Sequence, residues 1–197
     1  MTNGIAAISV AAFVILYLTG NVDNAAIMGG FIPARVGDPA LLAGLEAVPI
    51  WLTPLTCTLI HAGWLHVGLN MLMLIFCGRH VEHVLSKGLT LLLYIVGAYA
   101  ACGAQWLVDP GSTGPMVGAS GAISAIMATY ALLYSQQQVR RLGPFSANIV
   151  RLAWLAGGWI ALQLMIGLAT AGTVGGTGQI RIAAPIGSQG ALEACSR

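Results

Sequence analysis

The chain has 197 residues, enough for one domain or two small ones. Apolar residues make up 57% and charged residues 7%, against about 25% charged in an ordinary soluble domain. This excludes a typical cytosolic enzyme, a disordered chain and a coiled coil. Eight Lys and Arg are scattered along the sequence and the formal net charge is +2, so there is no basic stripe for nucleic acid. An integral membrane protein remains. The 26 glycines agree with it, because glycine is commoner in membrane helices than in soluble ones.

A membrane span needs about 20 mostly apolar residues, with about 17 as a minimum. The apolar runs predict five. The first covers 4–20; it lacks a basic leader and a small-residue cleavage site, and so reads as a retained span. The second covers 66–85 and is short, reaching full length only with polar residues at both ends. The third is 89–108 and the fourth 117–134. The fifth, 147–170, carries Arg151 near its end, where the side chain can snorkel to the interface. A sixth segment, 179–197, fails as a span, because it holds Arg181, Pro185, Gln189, Glu193 and Arg197.

The first loop, 21–65, is apolar for a linker and is expected to lie partly in the membrane interface. Arg79, Lys87, Arg140, Arg141 and Arg151 would share one side, with Arg35 and Arg181 on the other. Short-loop Lys and Arg mark the cytoplasm, so the 21–65 loop is placed outside. The cysteines at 57, 77, 102 and 195 form no CxxC pair and read as small apolar packing residues.

Polar groups at membrane depth are expensive and point to function. HAGWLHVGLN supplies His61, His66 and Asn70, the last two four apart and therefore on one helix face. GPMVGASGAISA places Ser120 between Gly118 and Gly121 at the start of the fourth span. VEH places Glu82 and His83 at the far end of the second. Each has a plainer reading. His66 and Asn70 alone could be interhelical glue, and Ser120 a small residue packing helices. His61 and His66 are five apart and lack the glutamate of a zinc motif, so no metal site is expected.

Taken together, HAGWLHVGLNMLMLIFCGRHVEHVLSKG followed by GASGAISAI resembles the rhomboid intramembrane serine proteases. GGFIPARV resembles the first-loop start of many bacterial members. The resemblance implies an all-α, polytopic membrane helix bundle, here with five clear spans and an incomplete sixth, forming a single domain over 1–197. It implies an intramembrane serine endopeptidase that cuts transmembrane-helix substrates near the outer membrane face. Ser120 matches the nucleophile, and His66 and Asn70 match the oxyanion donors. His61, Gly118, Gly121 and Glu82 match structural positions, Glu82 anchoring the end of the second helix. No metal or cofactor is implied. The implied partners are transmembrane protein substrates and membrane lipid, with no nucleic acid, and the implied location is a bacterial inner membrane.

One departure stands against this pattern. The family carries its catalytic base, a histidine, early in the sixth helix. Here the matching stretch is AAPIGSQG, with Pro185 at the histidine position. The four histidines are His61, His66, His80 and His83, and none follows Ser120. Proline offers no proton acceptor and interrupts a helix interior, and a serine hydroxyl is a weak nucleophile without a base. The expected explanation is a frame-shifted, truncated or otherwise damaged end on an otherwise intact rhomboid. The alternative is an inactive rhomboid-like protein that binds membrane clients. A small transporter or channel subunit is disfavoured, because the third and fifth spans carry no acid–base pair away from their ends.

Overall fold

The computed structural model describes residues 1–134 and residue 157. Of the expected fifth span only residue 157 is described, and the sixth segment, with Pro185, lies outside the described residues. Among the described residues the regular structure is helical, and the one extended pairing is an isolated bridge between Phe31 and Met116.

Helix α1 is Thr2–Leu18. Its buried residues Thr2, Ala6, Ser9 and Phe13 fall at the three- and four-residue steps that line one helix face. Gly20, at φ +67, reverses the chain after it, as glycine does at helix ends. The first loop contains three short helices, α2 (Val22–Gly29), α3 (Ala34–Gly37) and α4 (Thr53–Thr56). Helix α5 is Trp64–Val108 and helix α6 is Ser120–Leu133.

Helix α5 is 45 residues long but not continuous in direction. Ser86 has φ 77 and ψ 164, a region that few residues other than glycine occupy. It divides α5 into two arms, 64–85 and 87–108. The Thr90 hydroxyl donates to the Ser86 carbonyl at 2.7 Å and closes the turn. Contacts along α6 show that the arms run in opposite directions. In the first arm, His66 meets Gly118 before α6, and the His80 ring lies 5.7 Å from the Tyr134 ring after it. In the second arm the order is inverted: Ala101 meets Gly121 near the start of α6, and Gly97 meets Ala125 further along. The expected spans at 66–85 and 89–108 thus fall on the two arms.

Helix α1 lies antiparallel to the first arm. Thr2 bonds Glu82 near its end, and Phe13 stacks edge-on with Trp64 at its start, at 4.9 Å. The four rods α1, first arm, second arm and α6 therefore alternate in direction. One end of the bundle carries Leu18, Trp64, Val108 and Ser120. The other carries Thr2, Glu82, Lys87 and Tyr134.

The core lies between these rods. Phe13, Leu74, Val81, Ala122, Ile123 and Ile126 are fully buried. Close approach depends on two glycines: a Cβ on Gly97 would meet the Ala125 methyl at 2.7 Å, and one on Gly121 would overlap Ala101. Small residues at such crossings are typical of membrane helix pairs. The outer faces are apolar as well. Ile8, Leu72, Leu92 and Leu132 are each more than half exposed, a helix pattern suited to lipid on one side and protein on the other.

The first loop is laid over the Ser120 end of the bundle by long-range bonds. Phe31 and Met116 exchange N–H···O bonds of 3.0 and 2.8 Å. The Ala34 N–H donates to the Ser112 carbonyl, and the Tyr99 hydroxyl donates to the Trp51 carbonyl at 2.8 Å. Arg35 is buried and donates to the Val48 carbonyl at 3.0 Å; burial lowers its pKa.

Candidate active site

The site forms where the first arm of α5 starts, beside the N-terminus of α6. The apolar run that predicted a span from residue 117 does not begin as helix. Residues 117–119 form a turn, and α6 starts at Ser120. Gly118 makes the turn at φ +107, which an L side chain rarely adopts. Its N–H donates to the Cys57 carbonyl at 2.8 Å. The first loop therefore holds the backbone two residues before Ser120.

Ser120 is half-buried and is the first residue of α6. Backbone N–H groups in a helix's first turn have no partner within the helix, and the dipole makes this end positive. Negative charge developing on an oxygen beside Ser120 would be stabilised there.

His66 faces this mouth. A Cβ on Gly118 would lie 2.6 Å from His66 Nε2, so only glycine leaves room for the ring. The opposite ring nitrogen, Nδ1, accepts the Ala62 N–H at 3.4 Å. A neutral imidazole that accepts at Nδ1 carries its proton at Nε2. His66 thus presents a donor, not an acceptor, toward the Gly118 turn.

Asn70 is fully buried one turn further along. Its Nδ2 donates to the His66 carbonyl at 2.9 Å, and its Oδ1 has no partner among the described residues. The second Nδ2 hydrogen remains available, since an amide nitrogen carries two. His61 precedes the helix and is also fully buried, its ring 5.1 Å from that of His66 in an edge-on arrangement. Among the described residues neither His61 ring nitrogen finds a hydrogen-bond partner of good geometry. Burial, helped by the neighbouring His66, lowers the His61 pKa to about 4, and the nearby Leu59 carbonyl offsets only part of this. His61 is therefore neutral at pH 7.

The expected residues divide between the two ends of the bundle. Ser120, Gly118, His66, Asn70 and His61 gather at one end, and Gly121 packs α6 against the second arm just below. Glu82 is at the other end, where it caps α1. Its Oε2 accepts the Thr2 N–H at 2.8 Å and the Thr2 hydroxyl at 2.6 Å, and its Oε1 pairs with the Met1 ammonium at 2.7 Å. Gly78 lets α1 approach this closely, since a Cβ there would meet the Thr2 methyl at 2.9 Å.

Two elements of the site gave no signal in the sequence. The Cys57 carbonyl that holds Gly118 and the Ala62 N–H that sets the His66 tautomer are backbone groups, which no residue type announces.

Among known proteins, the Rhomboid domain model matches residues 50–187. No curated protein matches the chain, and no solved structure does. The matched segment takes in α5, the Gly118 turn and α6, and covers well over half of the sequence. The chain therefore belongs to the rhomboid family, whose members are integral membrane proteins and generally intramembrane serine proteases.

Proposed function

We propose that this chain is built as a rhomboid-type intramembrane serine endopeptidase that acts on transmembrane helices near the outer membrane face. The observation that carries the reading is the contact of His66 Nε2 with the Gly118 turn, two residues before Ser120. In this mechanism the Ser120 Oγ attacks the scissile carbonyl carbon. The carbonyl oxygen, now negative, receives hydrogen bonds from the Ser120 N–H, His66 Nε2–H and Asn70 Nδ2–H. As the C–N bond breaks, the Ser120 hydroxyl proton must reach the leaving amine nitrogen, and hydrolysis of the acyl-enzyme needs a proton taken from water. In the family the sixth-helix histidine carries both protons, and Pro185 at that position carries neither. This chemistry uses no metal or cofactor.

Geometry supports a membrane placement for the helices. Each arm of α5 is about 33 Å long at 1.5 Å per residue, against roughly 30 Å of bilayer hydrocarbon. In this reading both arms of α5 cross the bilayer, and the shorter apolar helices α1 and α6 form one membrane domain with them and the 147–170 run. Tyr17, Trp51, Trp64 and Trp106 sit toward the Ser120 end with exposed or part-exposed rings, as interfacial anchors do. Arg79 and Lys87 lie at the opposite end, which faces the cytoplasm by the positive-inside rule. A bacterial inner membrane suits this arrangement.

A second reading, an inactive rhomboid-like protein that holds membrane clients, is favoured by Pro185 at the position of the family's histidine. A fluorophosphonate probe separates the two. Labelling that disappears in Ser120→Ala supports the endopeptidase. Absence of labelling, with transmembrane peptides still retained, supports the client binder.

A further inference from the structure

Two recesses meet at the end of the bundle remote from Ser120. One is polar, about 730 Å³, and lined by Asn3, Arg79, Glu82, His83, Ser86 and Lys87 among others. The other is an apolar groove of about 740 Å³ between α1 and the first arm of α5, running past Ala7, Val10, Ala11, Val14 and Ile75. Asn3 and Arg79 line both, so the polar recess opens into the groove.

Charge in the polar recess is unbalanced. Both oxygens of its one carboxylate, Glu82, are taken by Thr2 and the Met1 ammonium. Among the described residues Arg79 uses only Nε, which donates to Asn3 Oδ1 at 2.9 Å. Among the described residues neither Arg79 nor Lys87 pairs with a carboxylate. Two exposed cations therefore stand at the mouth of an apolar slot. The groove follows α1 from Asn3 to Ile15, about 18 Å at 1.5 Å per residue. One leaflet of hydrocarbon is roughly 15 Å deep.

We propose that this composite recess binds an anionic glycerophospholipid, with the phosphate against Arg79 and Lys87 and one acyl chain along the small-residue face of α1. A soluble peptide does not match it, since the slot is apolar over its length and charged only at one end. Basic pockets beside membrane helices take anionic headgroups for the same reason. The Ser120 mouth lies at the opposite end of the bundle and takes no part, so the site stands or falls apart from any peptidase activity.

The test is native mass spectrometry of the full chain in neutral detergent, titrated with phosphatidylglycerol, phosphatidylcholine or inorganic phosphate. Phosphatidylglycerol should bind more tightly than phosphatidylcholine by about thirtyfold, at roughly fivefold per cation. Arg79→Ala with Lys87→Ala should bring the two lipids within about twofold, while Arg79→Lys should keep the preference. Ala11→Phe, on an exposed face where folding is not at risk, should weaken both lipids by blocking the groove. Equal binding of the two lipids by the unaltered chain would overturn the proposal. So would a preference that survives loss of both cations. Inorganic phosphate binding as tightly as the lipid, with Ala11→Phe silent, would also overturn it, leaving a phosphate site without an acyl groove.

Discussion

Gly118 and His66 are held so close that a single methyl group on residue 118 would lie 2.6 Å from the imidazole Nε2. The first loop sets this approach through the Cys57 carbonyl, and the first arm of α5 supplies the ring. Ser120 follows at once on α6. The nucleophile expected by the family and a polarised N–H donor are thus brought to one mouth by a turn that only glycine makes easily.

Gly118→Ala should therefore damage both stability and site. The positive φ alone costs about 1–3 kcal/mol for an L residue, and the methyl must also displace His66. Thermal unfolding in detergent should show a lower midpoint. His66 ring resonances should shift while those of His80 and His83 stay unchanged.

Glu82→Gln should loosen α1 without touching the mouth. The carboxylate accepts both the N–H and the hydroxyl of Thr2 at the helix start, and loss of an N-terminal cap costs about 0.5–2 kcal/mol. Hydrogen exchange should speed up in the first turn of α1 and remain unchanged in α6.

His61 makes stability depend on pH. Its folded pKa is depressed to about 4 by burial, while the unfolded value is near 6.5. Between these values the unfolded chain binds a proton that the folded chain refuses. Stability therefore rises with pH across this window and is lost as pH falls from about 6.5 toward 4, with no further loss from this group below 4. The full span corresponds to about 3 kcal/mol. Unfolding of wild type and His61→Phe, compared from pH 4 to 8, should give curves that diverge below pH 6.5, the variant falling less.

Much of this arrangement was legible in the sequence, for identifiable reasons. The apolar runs on either side of RHVEHVLSKG announced two helices with a polar reversal, and the structure turns at Ser86 inside that stretch. His66 and Asn70 four residues apart implied one face, and the Asn70 bond to the His66 carbonyl lies along it. The late start of α6 was not legible. Residues 117–119 are as apolar as a helix needs, and only long-range bonds to the first loop turn them into a bend. The short helices α2, α3 and α4 were likewise hidden, because the chain beside them is held by distant partners, Met116 at Phe31, Ser112 at Ala34 and Tyr99 at Trp51, and not by local periodicity. The Glu82 cap on α1 joins residues 80 apart, a relation that no local pattern carries.

Pro185→His by itself should not create a working peptidase. A base must be held within hydrogen-bond reach of the serine, and the sequence from Gln189 onward, with Gln189, Glu193 and Arg197, lacks the apolar run that a membrane helix holding it would need. Cleavage of a transmembrane substrate should remain at background in the single variant. It should appear when the histidine is restored together with a full apolar sixth span.

Ser120 and His66 share one mouth in this fold, and cross-linking tests their proximity independently of activity. Ser120→Cys and His66→Cys would be introduced together into a chain whose four native cysteines are replaced by alanine, then treated with a short bifunctional thiol reagent. An intramolecular 66–120 link is expected, with none in a matched Ser120→Cys and Glu82→Cys pair. A 120–82 link, or no 66–120 link in folded protein whose two thiols both react singly, would contradict it.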